Sequence, residues 1–292
     1  MNEKSVPTQQ FGACLKSNRN ERKCPMKPIA KHAELANGLH LSYAEQGTKQ
    51  GTPLILLPGI ADSWRIFEPL LAELPESVHA FALSQRGHGD SDKPATGYRT
   101  RDFVQDMRLF MDALQIPKAI IVGASSGGFS ARSFAAMHPE RTAGLVLLGS
   151  PATLTGRPNL FAELKDPIDP GFVRSFAESV LSRSAPVEAL ASMIAENLKA
   201  PAHVWGETGN GLFEETFPGE LAKIQAPTLI VWGDRDTIIP KADQLALAEA
   251  IKGSKLIAHP GSGHMLYWEE PALIARDIVA YINDGQLTSE KN

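Results

Sequence analysis

One serine of this 292-residue sequence stands in a pattern that prepares a hydroxyl group to attack a carbonyl carbon. The stretch Ile120-Ile-Val-Gly-Ala-Ser-Ser-Gly-Gly128 holds the pattern Gly-x-Ser-x-Gly, with Ser125 as the serine. It follows an apolar segment typical of a buried strand and precedes a helical pattern, a context in which a sharp turn exposes the serine oxygen. Glycine on both sides permits the close backbone packing that such a turn needs. The pattern therefore predicts that Ser125 is a nucleophile.

A serine hydroxyl is a weak nucleophile, so it needs a neighbouring base and an acid that orients the base. The best candidate for the base is His264, which lies in a glycine-rich loop between an apolar strand pattern and the last helical pattern. The acid is expected in the stretch Trp232-Gly-Asp-Arg-Asp-Thr-Ile-Ile-Pro240, which follows another apolar strand. Of its two carboxylates, Asp236 is better placed to reach across than Asp234, which adjoins the turn glycine. These residues predict a Ser125–Asp236–His264 triad.

Attack on a carbonyl carbon produces a negatively charged oxygen, which two N–H donors must stabilise. The amide of Ser126 follows the nucleophile and lies at the predicted start of a helix, where negative charge is favoured. A second apolar strand, Leu54-Ile-Leu-Leu57, runs into the turn Pro58-Gly59, and the amide of Ile60 comes next. The backbone N–H groups of Ile60 and Ser126 are therefore the predicted oxyanion hole.

The elements that must position these residues alternate between strand and helix. Apolar runs predict strands at residues 54–57, 79–83, 119–122, 145–148, 228–232 and 255–258. Helical patterns lie near residues 64–73, 101–114, 127–137, 241–251 and 271–283. Most of the strands are apolar throughout rather than alternating, which is typical of parallel strands buried on both faces. The sequence therefore predicts an α/β fold with a doubly wound, mostly parallel sheet.

The alternation stops after the fourth predicted strand. Residues 151–170 are rich in proline, glycine and aspartate, and apolar residues then recur at helical spacing. We expect residues 152–222 to form a helical cap, residues 31–151 and 223–285 to form the core, and residues 1–30 to be a flexible N-terminal extension. The cap should supply a substrate pocket, although its aromatic side chains could instead pack its own interior. The candidate pocket residues are Trp64, Phe172, Phe176, Met193, Trp205, Phe213 and Met265.

Five stretches between about residues 33 and 283 resemble the α/β-hydrolase superfamily in its capped form, and they occur in the order of that family. They are Leu57-Pro-Gly-Ile60, Gln85-Arg-Gly-His-Gly-Asp-Ser91, Gly123-Ala-Ser-Ser-Gly127, Trp232 to Pro240, and Gly263-His264 followed by Glu269-Glu-Pro271. The resemblance implies the α/β-hydrolase fold and supports Asp236 as the acid of the triad. Two positions depart from the family pattern: Pro58 replaces the usual histidine before the oxyanion glycine, and Ser84 replaces a common aspartate.

A serine nucleophile separates this chain from relatives of the same fold that use aspartate to attack saturated carbon. It implies an acyl-enzyme, and the expected substrate is a small to medium carboxylic ester or lactone. Hydrolases of carbon–carbon bonds in ring-cleavage products are an alternative, although they usually have a longer glycine-rich oxyanion loop and tryptophan where Met265 follows His264. Perhydrolases, cofactor-free haloperoxidases and, as a different class, small-molecule receptors of this fold are further alternatives. The chemistry requires neither a metal nor an organic cofactor.

The composition narrows the partners and the cellular location. With 29 basic and 33 acidic residues the formal net charge is −4, which gives no basic face for nucleic acid or an anionic membrane. No segment resembles a secretory signal or a spanning helix, and the two cysteines, Cys14 and Cys24, fit a reducing compartment. A cytoplasmic protein with a small-molecule substrate is therefore expected. The sequence decides neither the identity of that substrate nor whether the protein is a monomer or a homo-oligomer.

Overall fold

The computed structural model describes residues 28–214 and 220–289, with side chains described to residue 284. The predicted flexible extension, residues 1–30, lies outside these ranges except for its last three residues. The first strand begins at Ile29. No helix in the described ranges is long and apolar enough to cross a membrane.

One sheet of eight strands organises the described part of the chain. The strands are β1 Ile29–Glu34, β2 His40–Gln46, β3 Thr52–Leu57, β4 Val78–Leu83, β5 Ala119–Ala124, β6 Thr142–Leu148, β7 Thr228–Gly233 and β8 Lys255–His259. Their spatial order is β1-β2-β4-β3-β5-β6-β7-β8. The pairs β1–β2 and β2–β4 are antiparallel, and all other pairs are parallel. The prediction of a doubly wound, mostly parallel sheet is confirmed.

Helices cover both faces of this sheet. They are α1 Glu68–Glu73, α2 Thr100–Ala113, α3 Gly127–Met137, α4 Pro170–Ser179, α5 Val187–Asn197, α6 Ala202–Glu214, α7 Lys241–Ala250, α8 Leu266–Glu269 and α9 Pro271–Ser289. Alternate residues of a strand point to opposite faces. In β3, Leu54 and Leu56 join one core with α1 and α9, whereas Ile55 and Leu57 join the other with α2 and α3. Because both faces are buried, the central strands are apolar throughout.

The helices α4, α5 and α6 lie between β6 and β7, in the segment predicted to form a cap. We call residues 152–214 the insertion. Hydrogen bonds join the insertion to the rest of the structure. Among them, the side-chain amide of Asn197 donates to the carbonyl oxygen of Ala61 at 3.1 Å. The backbone amide of Ser182 donates to the carboxylate of Glu269 at 2.9 Å. The division of the chain into a core and a cap domain stays a prediction.

The sheet brings four loops together at one edge. The strands β3, β5, β7 and β8 end at Leu57, Ala124, Gly233 and His259. Since these strands are parallel, the loops that follow them leave the sheet at its carboxyl edge, where sites form in sheets of this kind. Those loops carry all the residues predicted for the triad and the oxyanion hole.

Candidate active site

Ser125 occupies a strained turn between β5 and α3. Its φ is 49°, in the left-handed region that side-chain-bearing residues seldom adopt. The backbone amide of Ser125 donates to the carbonyl oxygen of Leu148 at 2.9 Å, which anchors the turn to β6. A Cβ on Gly127 would lie 2.4 Å from the carbonyl oxygens of both Leu57 and Pro58, so only glycine fits there. Strain of this kind persists where the surrounding packing enforces it, and here the packing raises the serine hydroxyl at the edge of the sheet.

A continuous chain of hydrogen bonds joins Ser125, His264 and Asp236. His264 Nε2 lies 3.0 Å from Ser125 Oγ, and His264 Nδ1 lies 2.8 Å from Asp236 Oδ2. The side chains of His264 and Asp236 are buried. Because a carboxylate only accepts hydrogen bonds, Nδ1 carries the proton in this arrangement and leaves Nε2 to accept the hydroxyl proton. The other carboxylate oxygen, Oδ1, accepts from the backbone amides of Ile238 and Ile239, each at 2.8 Å, which fixes the orientation of the acid.

The second aspartate of that loop, Asp234, has a different role. Its Oδ1 accepts from the backbone amide of Gly261 at 2.7 Å, and the side chain is exposed. This bond ties the loop after β7 to the loop after β8, on which His264 lies. Asp234 thus holds the two loops together, whereas Asp236 contacts the imidazole.

The predicted oxyanion donors lie next to Ser125, but one of them already has a hydrogen-bond partner. The amide of Ile60 donates to Ser126 Oγ at 2.8 Å. A Cβ on Gly59 would lie 3.3 Å from Ser125 Cβ, which shows how closely this turn approaches the nucleophile. The amide of Ser126 lies at the start of α3, where the first N–H groups have no partner within the helix. Pro58, the departure from the family pattern, is supported by Gln85 Nε2, which donates to its carbonyl oxygen at 3.1 Å.

A small cavity of about 20 Å³ adjoins Ser125 and His264. Three of the seven predicted pocket residues line it: Phe176, Met193 and Met265. The lining also includes side chains that the sequence did not indicate, namely Asp62, Ala177, Val180, Asn197 and Tyr267, together with Gly59 and Ile60 of the oxyanion turn. A volume of this size holds roughly one water molecule, so a larger molecule must displace part of the lining to reach Ser125.

The other four predicted pocket residues do not line this cavity. Trp64 is buried beside the guanidinium of Arg65, whose Cζ lies 4.5 Å from the indole centroid. Phe172, Trp205 and Phe213 pack within the insertion, where Phe161 and Trp205 have ring centroids 5.3 Å apart. These aromatic side chains fill the interior of the insertion, because helical spacing shows which residues share a face but not what that face covers.

Asp62 and Asn197 are a hydrogen-bonded pair in the cavity that sequence reasoning missed. Asn197 Nδ2 donates to Asp62 Oδ1 at 3.0 Å. Burial raises the pKa of Asp62 to about 7, although the hydrogen bond from Asn197 and the proximity of His264 oppose that rise. Asp62 lies two residues after Ile60 of the predicted oxyanion turn. This position in the sequence was the one feature that could have indicated a role for Asp62 in the site. Asn197 lies 135 residues away, and no local pattern links the two.

Two larger cavities adjoin the small one from outside. The first, of about 390 Å³, shares Asp62 and Met193 with the inner cavity, and we call it the vestibule. The second, of about 420 Å³, shares Val180 and His264 with the inner cavity. The second carries two guanidinium groups, those of Arg183 and Arg235. Within the described ranges, no cluster of three or more His, Cys, Asp or Glu side chains could hold a metal ion.

Comparison with known proteins agrees with this architecture. The profile of a family described as alpha/beta hydrolase fold matches residues 52–192 and 185–271. The chain belongs to the α/β-hydrolase fold family. These matched residues contain β3 to β8, the insertion and all three residues of the hydrogen-bonded chain.

Relatives and solved structures span nearly the same length. The AB hydrolase superfamily protein YisY of Bacillus subtilis is 28% identical over 258 residues, which cover 84% of this chain and 96% of that protein. The 2-hydroxymuconate semialdehyde hydrolase of Pseudomonas sp. (strain CF600) is 29% identical over 265 residues, 82% of this chain and 89% of that protein. An esterase (EaEST) from Exiguobacterium antarcticum superposes with a TM-score of 0.80 at 23% identity, over 87% of this chain and 100% of that one. At such identity, the structural likeness shows the fold.

Proposed function

We propose that this protein is a serine hydrolase that cleaves a small to medium carboxylic ester or lactone through an acyl-enzyme. The observation that carries the proposal is the unbroken chain from Ser125 Oγ to His264 to Asp236, with contacts of 3.0 and 2.8 Å. Such a chain gives a serine hydroxyl the base and the orienting acid that it needs for attack on a carbonyl.

In the first half of the proposed reaction, Ser125 Oγ bonds to the carbonyl carbon while His264 Nε2 takes the hydroxyl proton. Asp236 stabilises the imidazolium that forms. The backbone N–H groups of Ile60 and Ser126 donate hydrogen bonds to the negatively charged carbonyl oxygen and stabilise it. The tetrahedral intermediate then expels the alcohol oxygen, which takes the proton from His264, and the acyl group stays on Ser125.

In the second half, water replaces the alcohol. His264 takes one proton from water as the remaining hydroxide bonds to the acyl carbon, and the same two amides hold the oxyanion. Collapse breaks the bond to Ser125 Oγ, which recovers its proton from His264, and the carboxylic acid leaves. Every step uses groups of this chain and water.

The lining of the inner cavity supports a neutral substrate. Phe176, Val180, Met193 and Met265 supply apolar surface, and no lysine or arginine is among the described residues that line it. Apolar walls with few polar groups suit an uncharged acyl group. We therefore favour esters and lactones over carboxylate-bearing substrates.

Hydrolysis of a carbon–carbon bond is the second candidate, because one observation favours it. Arg183 and Arg235 line the second of the two larger cavities, the one of about 420 Å³ that His264 also lines. Guanidinium groups bind carboxylates well. A relative named 2-hydroxymuconate semialdehyde hydrolase is 29% identical. A perhydrolase, a cofactor-free haloperoxidase and a small-molecule receptor are also compatible with the same parts, but no contact in the site favours them.

A turnover assay separates these candidates. We expect steady-state hydrolysis of p-nitrophenyl acetate and butyrate, and we expect a fluorophosphonate probe to label the wild type but not Ser125→Ala. A single burst of product without further turnover contradicts the enzyme proposal and favours a receptor. Faster cleavage of a vinylogous diketone than of any ester or lactone in a matched panel assigns the second candidate instead.

A further inference from the structure

Asp62 stands at the boundary between the vestibule and the inner cavity. It lines both, as does Met193, and these two side chains separate about 390 Å³ of open space from the nucleophile. A substrate that extends from the vestibule to Ser125 must pass between them. Whatever group such a substrate carries near its scissile carbonyl therefore meets the carboxyl group of Asp62.

The carboxyl group is held in place but has one oxygen free. Asn197 Nδ2 donates to Oδ1 at 3.0 Å, and its second proton goes to the carbonyl oxygen of Ala61, so the amide clamps both Asp62 and the backbone before it. No described residue forms an ion pair with Asp62 or donates to Oδ2. A ligand group can therefore bond to Oδ2 without displacing a partner.

The surroundings of this carboxyl group favour its neutral form. Burial raises the pKa of Asp62 to about 7, against the opposing influence of Asn197 and His264. The other charged groups of the vestibule have partners of their own. Arg65 lies 2.8 Å from Glu68 and 3.4 Å from Glu196. Arg183 lies 3.8 Å from Glu270, and the carboxylate of Glu269 accepts from the backbone amide of Ser182 at 2.9 Å. The phenol of Tyr267 is buried nearby and donates to Met265 Sδ at 3.0 Å. In its neutral form, the Asp62 carboxyl donates a hydrogen bond from Oδ2 to an acceptor.

We propose that Asp62 is a specificity-determining residue that selects an ester or lactone with a second, neutral oxygen function, such as a keto or hydroxyl oxygen, close to the scissile carbonyl. The proposal rests on the proposed hydrolase function and names its substrate class. Besides Asp62, Asn197 and the hydrogen-bonded pair Ser125 and His264, the polar side chain of the inner cavity is the phenol of Tyr267, which already donates to Met265 Sδ. A plain alkyl chain therefore leaves Asp62 Oδ2 without a partner. A site built to bond a substrate oxygen discriminates against the analogue that lacks it.

The test compares methyl 3-oxopentanoate with methyl pentanoate, two esters of equal chain length, in a pH-stat assay. We expect Asp62→Leu to lower the ratio of the two kcat/KM values by about ten-fold, mainly through KM for the oxo ester. Asp62→Asn keeps an N–H donor at the same place and should retain the ratio within about three-fold. Asp284→Asn, which changes an exposed carboxylate of α9 that lines neither cavity, is the matched control and should leave the ratio unchanged.

A pH series adds a measurement that a purely structural role would not change. As the pH rises through about 7, Asp62 of the wild type loses its proton and becomes an acceptor, so the preference for the oxo ester should fall. The preference of Asp62→Asn should stay level over the same range. Melting curves for each variant establish that it is folded.

Three outcomes overturn the inference while leaving the hydrolase function intact. They are an equal ratio in the wild type and Asp62→Leu, a preference that does not depend on pH in the wild type, and a stronger preference for methyl 4-aminobutanoate that Asp62→Asn abolishes. The last outcome would assign an ammonium site. If Ser125 reacts with the fluorophosphonate probe but no ester or lactone is turned over, the proposed function itself is wrong and the inference falls with it.

Discussion

The backbone amide of Ile60 donates to the hydroxyl oxygen of Ser126 at 2.8 Å, in the place proposed for the oxyanion hole. The hydroxyl oxygen accepts the N–H bond that the proposed mechanism assigns to the oxyanion. Substrate binding must therefore replace this internal bond with one to the carbonyl oxygen. Without substrate, the Ser126 hydroxyl oxygen is thus the acceptor for this proposed oxyanion donor.

Ser126→Ala tests whether this internal acceptor competes with the substrate. Because a neutral hydrogen bond contributes about 1 kcal/mol net, its removal should raise kcat/KM for a good ester by roughly five-fold. Steady-state kinetics on p-nitrophenyl butyrate measures the effect. Ser130→Ala changes another serine of α3 and is the control. A fall of about a hundred-fold or more would show instead that the Ser126 hydroxyl is itself an oxyanion donor.

The two aspartates of the loop after β7 should differ sharply on replacement by asparagine. In Asp236→Asn an amide replaces the carboxylate beside His264 Nδ1. The neutral amide does not stabilise the imidazolium, and its N–H group permits the tautomer in which Nε2 carries the proton and cannot accept one. We expect kcat to fall by about three to four orders of magnitude with little change in melting temperature. Asp234→Asn changes only a bond to the amide of Gly261 and should leave kcat within a few-fold. The reverse pattern in the two kcat values would reassign the acid.

The sequence predicted the six parallel strands because each contains an apolar run. In β3 to β7 this run reflects burial on both faces, whereas β8 lies at the edge of the sheet and is only partly buried. It missed β1 and β2 because their residues are mixed in polarity; five of the six residues of β1 are exposed. It also missed α6, whose three glycines weaken a helical pattern. Those glycines allow close packing: a Cβ on Gly209 would lie 2.4 Å from Asn159 Oδ1, and one on Gly211 would lie 2.6 Å from the carbonyl oxygen of Tyr98.

The site likewise contains residues that local sequence patterns predict and residues that they do not. Ser125, Asp236 and His264 each lie in a loop that follows a parallel strand and within a recognisable local pattern, so their meeting follows from the parallel sheet. The pairing of Asp62 with Asn197 depends on where the insertion rests on the sheet. Packing between distant helices decides that, and the hydrophobic pattern of one helix does not contain the information. The residues of the proposed chemistry were therefore predictable, whereas the residues of the proposed specificity were not.

Gly127 should tolerate a methyl group far less well than Gly59. In Gly127→Ala the new Cβ would lie 2.4 Å from two backbone oxygens of β3 and the oxyanion turn, which cannot move without opening the site. We expect a marked loss of thermal stability and of esterase rate in this variant. In Gly59→Ala the nearest atom is Ser125 Cβ at 3.3 Å, so a shift of a few tenths of an ångström suffices and stability should change little. Melting curves for both variants decide the matter, and equal melting temperatures would contradict the argument.

The buried His88 should make the fold sensitive to acid. Its Nδ1 donates to the carbonyl oxygen of Arg86 at 2.7 Å, and its buried Nε2 has no hydrogen-bond partner among the described residues. Burial lowers the pKa of His88 to about 4 from an ordinary value of 6.5, so between these values the unfolded chain binds the extra proton more readily than the folded one. The free energy of unfolding should therefore fall as the pH drops from 6.5 towards 4.

The variant His88→Asn isolates this contribution from the rest of the acid sensitivity. Its loss of unfolding free energy between about pH 7.5 and about pH 5, measured by urea denaturation, should be smaller than that of the wild type. The comparison concerns the change in unfolding free energy between the two pH values in each protein. It therefore holds even if the variant is less stable at every pH. His32→Asn, which changes an exposed histidine of β1, should lose as much stability as the wild type over the same interval. An equal loss in His88→Asn and the wild type would mean that His88 takes up its proton without opposing the folded state.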